Sequence, residues 1–291
     1  MNHFNTEEKC LEFLKGQRWG NTIICPHCES DNKIYTYKTG LKFRCYDCGR
    51  NFNPKVGTIF QRTHVELPKW FIAIYLITCH SKGISSIQLS KDLKITQKTA
   101  WFMAHRIREA YLSDFDNESG TFEIDETYIG GKNKNKHADK KSHNMLGGSD
   151  KIPVVGIVNR EEKSVVAFPV QSVGLSMVKN EIVPRIKRGA TINTDEATVY
   201  TDLQYDYDHF TVNHGRKNWK NGLSHTNTIE GFWSLFKRGY IGIYHYMSKK
   251  HLQRYLNEFA YRYSNRDKQE IFTSIISRVS GKRLSYKSLI A

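Results

Sequence analysis

The spacing of apolar positions changes several times along the chain, and each change marks a predicted region. Near the N-terminus, Phe4, Leu11 and Leu14 recur at helical intervals among charged residues. A turn-rich stretch follows, then a return to helical spacing, and finally alternating strand and helix patterns. The predicted regions are an N-terminal helix (1–20), a turn-rich module (21–62), a helical region (63–115), an α/β domain (120–266) and a basic C-terminal tail (267–291).

The helical region contains a pattern typical of a helix-turn-helix. Helices are predicted over residues 85–93 and 97–111, with a tight turn at 94–96 between them. An ordinary helical hairpin would give the same pattern. If the second helix reads DNA, the side chains expected to make contact are Gln97, Lys98, His105, Arg106 and Arg108.

The α/β domain has a recognisable order of elements. A strand over TFEIDETYIGG is followed by two strands joined by a tight turn, a helix over 175–188 and a strand ending at Asp195. A fifth strand over 207–212 and helices over 227–237 and 248–265 complete the series. This order predicts the fold class: an α/β, ribonuclease-H-like mixed sheet with helices, preceded by a small metal-binding ribbon and a helix-turn-helix.

Four of the six cysteines form two CxxC pairs within the turn-rich module. Cys25 and Cys28 are separated by sixteen residues from Cys45 and Cys48. Four thiolates with this spacing are typical of a zinc ribbon, in which one structural Zn²⁺ stabilises a segment with little core of its own. Two further cysteines, Cys10 and Cys79, are expected to be buried apolar residues.

The charge of the chain indicates a polyanionic partner. Forty-four Lys and Arg against 29 Asp and Glu give a net charge of +15, which favours DNA binding. General basicity is the alternative, but basic residues recur beside aromatic ones, as in Trp219-Lys220. Without an apolar run of membrane-spanning length or a signal peptide, no membrane association is expected, and the protein is predicted to act in the bacterial cytoplasm at the nucleoid.

Three acidic residues are predicted to converge in the α/β domain. Asp125 lies within the first strand, Asp195 ends the fourth and Glu230 lies on the later helix. Such a cluster can hold two Mg²⁺ or Mn²⁺ ions for phosphodiester chemistry. Asn227 lies one helical turn before Glu230 and is an alternative third ligand, although a carboxylate binds a divalent ion better than an amide does. The adjacent Glu126 is expected to face away from Asp125, because neighbouring strand residues point to opposite sides.

The segments FEIDETYIGGK, INTDEATVY and HTNTIEGFWSLFKRG resemble transposases of the IS1595 type, which have an ISXO2-like catalytic domain. The resemblance extends from Cys25 to about Arg266. It implies a zinc ribbon and helix-turn-helix joined to a DDE-type domain, with Asp125, Asp195 and Glu230 as the triad. It also implies a role for Lys237, seven residues after Glu230.

The implied activity is DNA transposition. The protein would bind the terminal inverted repeats of an insertion sequence, cleave the DNA ends and join the 3′ hydroxyls to target DNA, as a homodimer or larger assembly. Further DNA contacts are expected from a basic loop and from the end of the catalytic helix: Lys132, Lys134, Lys136 and Arg238. Two alternatives remain open, a DNA-binding regulator without catalysis and a structure-specific nuclease on the same fold.

Overall fold

The protein divides into two compact units. The computed structural model describes residues 4–112, 115–131, 151–212, 225–267, 270–281 and 284–290. One unit combines residues 1–111 with 268–291, and the other spans residues 112–267. The basic loop predicted to contact DNA through Lys132, Lys134 and Lys136 lies outside the described residues.

The first unit begins with a helix that supports a small sheet. Helix α1 (Glu7–Trp19) starts at Thr6, whose side chain accepts a hydrogen bond from the Lys9 amide. Three short antiparallel strands follow: β1 (Ile34–Thr36), β2 (Phe43–Cys45) and β3 (Asn51–Phe52). Trp19 packs edge-on against Phe43 and Phe52 at ring distances of 5.6 and 5.8 Å. This contact covers one face of the sheet.

Three helices complete the N-terminal part of this unit: α2 (Leu67–Cys79), α3 (Ser86–Leu93) and α4 (Gln97–Glu109). The two helices of the predicted hairpin are confirmed. Ser85 and Thr96 cap α3 and α4 by accepting hydrogen bonds from backbone amides, and Lys94 makes the intervening turn with a φ of 52°.

The second unit is built on a five-stranded mixed sheet. Its strands are β4 (Thr121–Ile129), β5 (Ile152–Asn159), β6 (Ser164–Pro169), β7 (Thr191–Asp195) and β8 (Asp208–Val212). Their order is β6-β5-β4-β7-β8, with β4, β5 and β6 antiparallel and β4, β7 and β8 parallel. The strand at the centre is therefore β4, which carries Asp125.

Helical segments flank this sheet on both faces. The single helix predicted over 175–188 is instead a short α5 (Leu175–Met177) that continues as a π turn (Val178–Ile182) and a 3₁₀ turn (Val183–Arg185). Pro184 lacks an amide hydrogen, so an unbroken α-helix would lose a hydrogen bond at this position. A 3₁₀ segment (Thr198–Tyr205) lies between β7 and β8, and α6 (Asn227–Gly239) and α7 (Leu252–Ser264) follow.

Each face of the sheet has its own hydrophobic core. Phe122 and Ile124 of β4 pack with the segments around Ile182 and Tyr200. On the opposite face, β5 packs with α6 and α7 through the side chains Val154, Val158, Ile229, Phe232, Trp233, Phe236, Leu256 and Phe259. Strand alternation therefore places α6 on the face to which odd-numbered residues of β4, including Asp125, point.

The C-terminal segment, predicted as a basic tail, is a folded part of the first unit. It contains α8 (Ile271–Ser277) and α9 (Tyr286–Ile290). The ring of Phe272 lies 5.4 to 6.2 Å from those of Phe4, Phe13 and Phe71. The prediction took only the basic residues of this segment into account, whereas Phe272 contacts aromatic partners more than 200 positions away along the chain.

Among the helices of the described ranges, none has the length and hydrophobicity required to cross a membrane.

Candidate functional site

Three carboxylates gather where the parallel pairing of β4 and β7 ends. The last paired residues are Glu123 and Asn193, so Asp125 and Asp195 lie just beyond the paired region. Asp125, Glu126 and Asp195 each place one carboxylate oxygen within 4.8 Å of the others. The side chains are partly buried. Hard oxygen donors at this separation fit Mg²⁺ or Mn²⁺.

The position of Glu126 corrects the sequence-based expectation that this side chain would face away from the other carboxylates. Its Cβ does leave the strand on the opposite side from that of Asp125. However, a glutamate has a longer side chain, and strand β7 no longer pairs with β4 at this level. The Tyr200 hydroxyl donates a hydrogen bond to Oε1 of Glu126 and holds the carboxylate near the other two.

The electrostatics of the cluster reflect crowded negative charge. Burial, followed by repulsion from Asp195 and Glu230, raises the pKa of Asp125 to about 6. Burial, with repulsion from Asp195 and Asp125, raises the pKa of Glu126 to about 7. A bound cation would relieve both effects, because it stabilises the deprotonated carboxylates. The residues present therefore fit a divalent metal.

Helix α6 approaches this cluster closely because strand β5 has a glycine there. Gly156 pairs with Asp125 across the ladder, and a Cβ at this position would lie 2.6 Å from the Trp233 ring and 2.8 Å from Ile229. The absence of a side chain lets α6 lie against the sheet beside Asp125. Any larger residue would push the helix away from the carboxylates.

The close approach creates an open depression between β4 and α6. The residues that line it are Asp125, Glu230, Trp233, Ser234, Lys237, Arg238, Ile241 and Gly242. Glu230 also accepts a hydrogen bond of 2.8 Å from the Thr226 hydroxyl, and Lys237 lowers the pKa of Asp125 by charge attraction. Asn227, the alternative ligand, is exposed at the first residue of the helix. The predicted residues Asp125, Asp195, Glu230 and Lys237 thus lie in one region of the second unit.

A residue that the sequence analysis did not identify fixes the start of α6. Glu123 is fully buried on β4 and accepts hydrogen bonds from the amides of Thr228 and Ile229, at 2.8 and 2.9 Å. Its other oxygen lies 2.6 Å from Nε of Arg160 and 3.2 Å from Nδ1 of His225. A carboxylate at a helix N-terminus is favoured by the free amides and the helix dipole. The sequence signal for Glu123 was a charged residue between two apolar residues of a predicted strand.

The four cysteines of the CxxC pairs converge in the first unit. Their sulfur atoms lie within 4.8 Å of one another, and the Cys25–Cys48 and Cys28–Cys45 pairs are each 3.7 Å apart. A tetrahedral zinc ion bound to sulfur at about 2.3 Å separates its ligands by about 3.8 Å. The arrangement therefore fits the predicted structural zinc. The other two cysteines differ, since Cys10 is buried as expected but Cys79 is exposed.

The residues predicted to read DNA from α4 separate into two groups. Gln97 and Lys98 are exposed at the start of the helix. His105, Arg106 and Arg108 are at most 4% exposed, so direct DNA contact by these three is not supported. Arg106, for example, donates to the Gln61 carbonyl at 2.8 Å and lies over the Trp70 ring. A basic residue in a helix can pack against the protein interior or bind a ligand. The amino-acid sequence alone does not show which of the two it does.

Two families and one relative match this chain. Residues 118–264 match the ISXO2-like transposase domain, and residues 5–51 match the transposase zinc-ribbon domain. The chain is also similar to an uncharacterized protein in transposable element ISH50 of Halobacterium salinarum. The two are 29% identical over 272 residues, which cover 89% of this chain and 91% of the relative.

Proposed function

The chain belongs to the transposases with an ISXO2-like domain, and from this premise we propose that it binds the ends of an insertion sequence, cleaves them and joins them to target DNA. The observation that carries the proposal is the convergence of the oxygens of Asp125, Glu126 and Asp195 within 4.8 Å inside the matched domain. The relative belongs to a transposable element by its own description, which supports the same function.

The proposed catalytic region is a ribonuclease-H-like domain. The central strand with Asp125, the parallel strand ending in Asp195 and the packed helix with Glu230 support this classification. Asp125 and Asp195 would hold two Mg²⁺ or Mn²⁺ ions together with Glu126, Glu230 or Asn227. When bound, such ions activate the attacking hydroxyl and stabilise the leaving oxygen.

The side chains around the carboxylates have complementary roles in the proposal. Lys237 and Arg238 line the same depression as Asp125, and they would hold the phosphates of a DNA strand. Tyr200 holds Glu126 in place, and Glu123 holds the start of α6. None of these residues forms a covalent bond to DNA, because the attacking groups in this reaction are water and then the 3′ hydroxyl of the element.

Recognition of the element ends is proposed for the first unit. Helices α3 and α4 would act as a helix-turn-helix, with Gln97 and Lys98 as its exposed contacts. The zinc ribbon would hold Zn²⁺ through Cys25, Cys28, Cys45 and Cys48. The basic residues Lys132, Lys134 and Lys136 remain predicted DNA contacts. Because two element ends must be joined to one target, at least two copies are expected in the active complex.

The test is a cleavage and strand-transfer assay with labelled terminal-repeat DNA, a target plasmid and Mg²⁺ or Mn²⁺. Asp125→Asn and Asp195→Asn are expected to lower both steps by at least about 1000-fold, since metal-ion catalysis contributes several kcal/mol to the rate. Binding to the terminal repeat should be retained. Asp202→Asn, on an exposed acid of the 3₁₀ segment, is the matched control.

The outcome distinguishes the competing functions. Full activity in Asp125→Asn would refute the proposed site. Cleavage without joining by the wild-type protein would indicate a nuclease, and binding without cleavage would indicate a regulator. The same assay on Glu126→Gln, Glu230→Gln and Asn227→Ala identifies the additional ligand, which is the variant whose loss matches that of Asp125→Asn.

A further inference from the structure

The zinc-ribbon sheet presents an unusual outward surface. Strand alternation turns Phe43, Cys45 and Phe52 toward the core of the ribbon. The alternate positions point to solvent, and we refer to them as the ribbon face. Its members are Lys33, Tyr35, Tyr37, Lys42, Arg44 and Tyr46, all of them exposed.

The tyrosines of the ribbon face are arranged as a platform. Tyr35 is 46% exposed and Tyr46 is 61% exposed, with their ring centroids 6.3 Å apart. Tyr37 is 44% exposed, and its hydroxyl donates to Asn51 at 3.1 Å. Three aromatic rings exposed on one small sheet are more than the isolated apolar residues that an ordinary surface carries, and such a patch indicates a binding partner.

The charges on this face select the kind of partner. Arg44 is paired with Tyr35 across the ladder, and the Lys33 ammonium lies 5.4 and 5.5 Å from the rings of Tyr35 and Tyr46. The six members include three cations and no acid. The neighbouring Asp47 lies in the turn after β2, where its carboxylate accepts hydrogen bonds from Ser30 and Asn32. The face therefore offers rings for stacking and cations for phosphate.

We infer that the ribbon face binds a DNA strand with unpaired bases. Bases would stack on Tyr35 and Tyr46, while Lys33, Lys42 and Arg44 would contact phosphates. Aromatic rings interleaved with cations bind single strands in this way, because every base has a flat face. In a duplex those faces are hidden by neighbouring base pairs, so the platform would be left unused. This inference rests on the proposed transposase function, in which DNA strands are cut at the element ends.

The test uses the full-length zinc-loaded protein and fluorescence anisotropy with a labelled oligothymidine and with a duplex of the same length. Tyr35→Ala and Tyr46→Ala are each expected to weaken binding to the single strand by about 5- to 150-fold, from about 1–3 kcal/mol per stacked base. Binding to the duplex should change by less than about twofold. Tyr46→Phe keeps the ring and should bind as the wild type does.

Further variants distinguish the loss of base stacking from the loss of charge and from unfolding of the ribbon. Arg44→Gln should reduce the salt dependence of single-strand binding by about one phosphate contact. Tyr205→Ala, on a 79% exposed tyrosine of the second unit, is the matched control and should have no effect. Zinc content and thermal unfolding verify that each ribbon variant is folded. A folded Tyr46→Ala protein with unchanged single-strand binding overturns the inference.

Two other results would also overturn it. An equal loss on duplex and single strand would assign the face to the DNA backbone alone. Displacement of the oligonucleotide by a polyglutamate peptide of equal charge, at an equal concentration, would indicate an acidic protein partner. The binding assay does not depend on cleavage, so it tests the ribbon face even if the proposed catalytic function fails.

Discussion

The carboxylate cluster makes the second unit sensitive to pH. Because the pKa of Asp125 is raised to about 6 and that of Glu126 to about 7, the folded protein retains protons that the unfolded chain releases near pH 4. The contribution of these two carboxyl groups to the free energy of unfolding is therefore greatest at low pH, and it falls as the pH rises from about 4 to about 7. We expect the free energy of unfolding of the metal-free protein, measured with urea, to decrease over this window.

Substituting the acid tests this prediction. Asp125→Asn cannot release a proton, so its free energy of unfolding should vary less with pH than that of the wild type, whereas Asp202→Asn should retain the wild-type slope. Mn²⁺ binding near pH 6 should release protons, which calorimetry in two buffers of different ionisation enthalpy detects. Equal slopes in the wild type and Asp125→Asn would contradict the prediction.

At the scale of single residues, the sequence predicted which types of side chain form the site better than it predicted where those side chains point. Asp125 and Asp195 could be predicted because their strands give the chain a fixed local geometry. The carboxylate of Glu126 could not, because its direction depends on a hydrogen bond from Tyr200, which is 74 positions away. The buried Arg106 and Arg108 show the same limit, since a cation on a helix can pack against the interior as well as face a ligand.

At the scale of elements, the hydrogen bonds of Glu123 join the strand that carries Asp125 to the helix that carries Glu230. Glu123→Gln would remove the buried carboxylate charge that contacts Arg160 and would place an amide group near two backbone donors. Removing one partner of a buried ion pair costs about 3–5 kcal/mol. We expect a loss of this size in the free energy of unfolding. Cleavage by the residual folded enzyme should also be slower, because α6 would lose its fixed start.

An exposed ion pair provides the matched control. Lys163 and Asp267 lie 3.4 Å apart with side chains 64% exposed, so Asp267→Asn should cost less than about 1 kcal/mol. Cleavage rates are compared at a temperature at which both variants are fully folded. A Glu123→Gln protein with wild-type Mn²⁺ affinity and cleavage rate would show that Glu123 does not position α6.

Element boundaries were predictable where local signals were strong. Ser85 and Thr96 cap helices α3 and α4, and the predicted ends of both helices agree with the structure to within two residues. The segment from Leu175 to Arg185 was predicted less well, because its period is helical while Pro184 prevents an unbroken helix. The mixed α/β sheet and the family resemblance are confirmed.

At the scale of the whole molecule, the chain leaves the first unit at Tyr111 and returns to it at Lys268. The return is specified by long-range contacts that no local pattern reveals. The Ile59 amide donates to the Val279 carbonyl, and the Gly281 amide donates to the Gly57 carbonyl. The second unit, by contrast, is continuous in sequence and contains two hydrophobic cores of its own.

This topology predicts that the two ends of the chain depend on each other. Truncation after Asp267 removes Phe272 from the aromatic cluster and both hydrogen bonds to residues 57–59. We expect the first unit to unfold at a lower temperature and to become sensitive to protease, while the second unit retains Mn²⁺ binding. Phe272→Ala should destabilise the first unit by about 2 kcal/mol, less than a fully buried Phe, because its side chain is partly exposed.

A shorter truncation is the control that separates the loss of these contacts from a general effect of shortening the chain. Ending the chain at Gly281 keeps Phe272 and the pairing with residues 57–59, and should preserve more of the thermal stability of the first unit than ending it at Asp267. Calorimetry and limited proteolysis measure both truncations. If they behave alike, the cluster around Phe272 contributes little. If truncation at Asp267 instead abolishes Mn²⁺ binding, the expectation that the second unit keeps its metal site without the C-terminal segment is wrong.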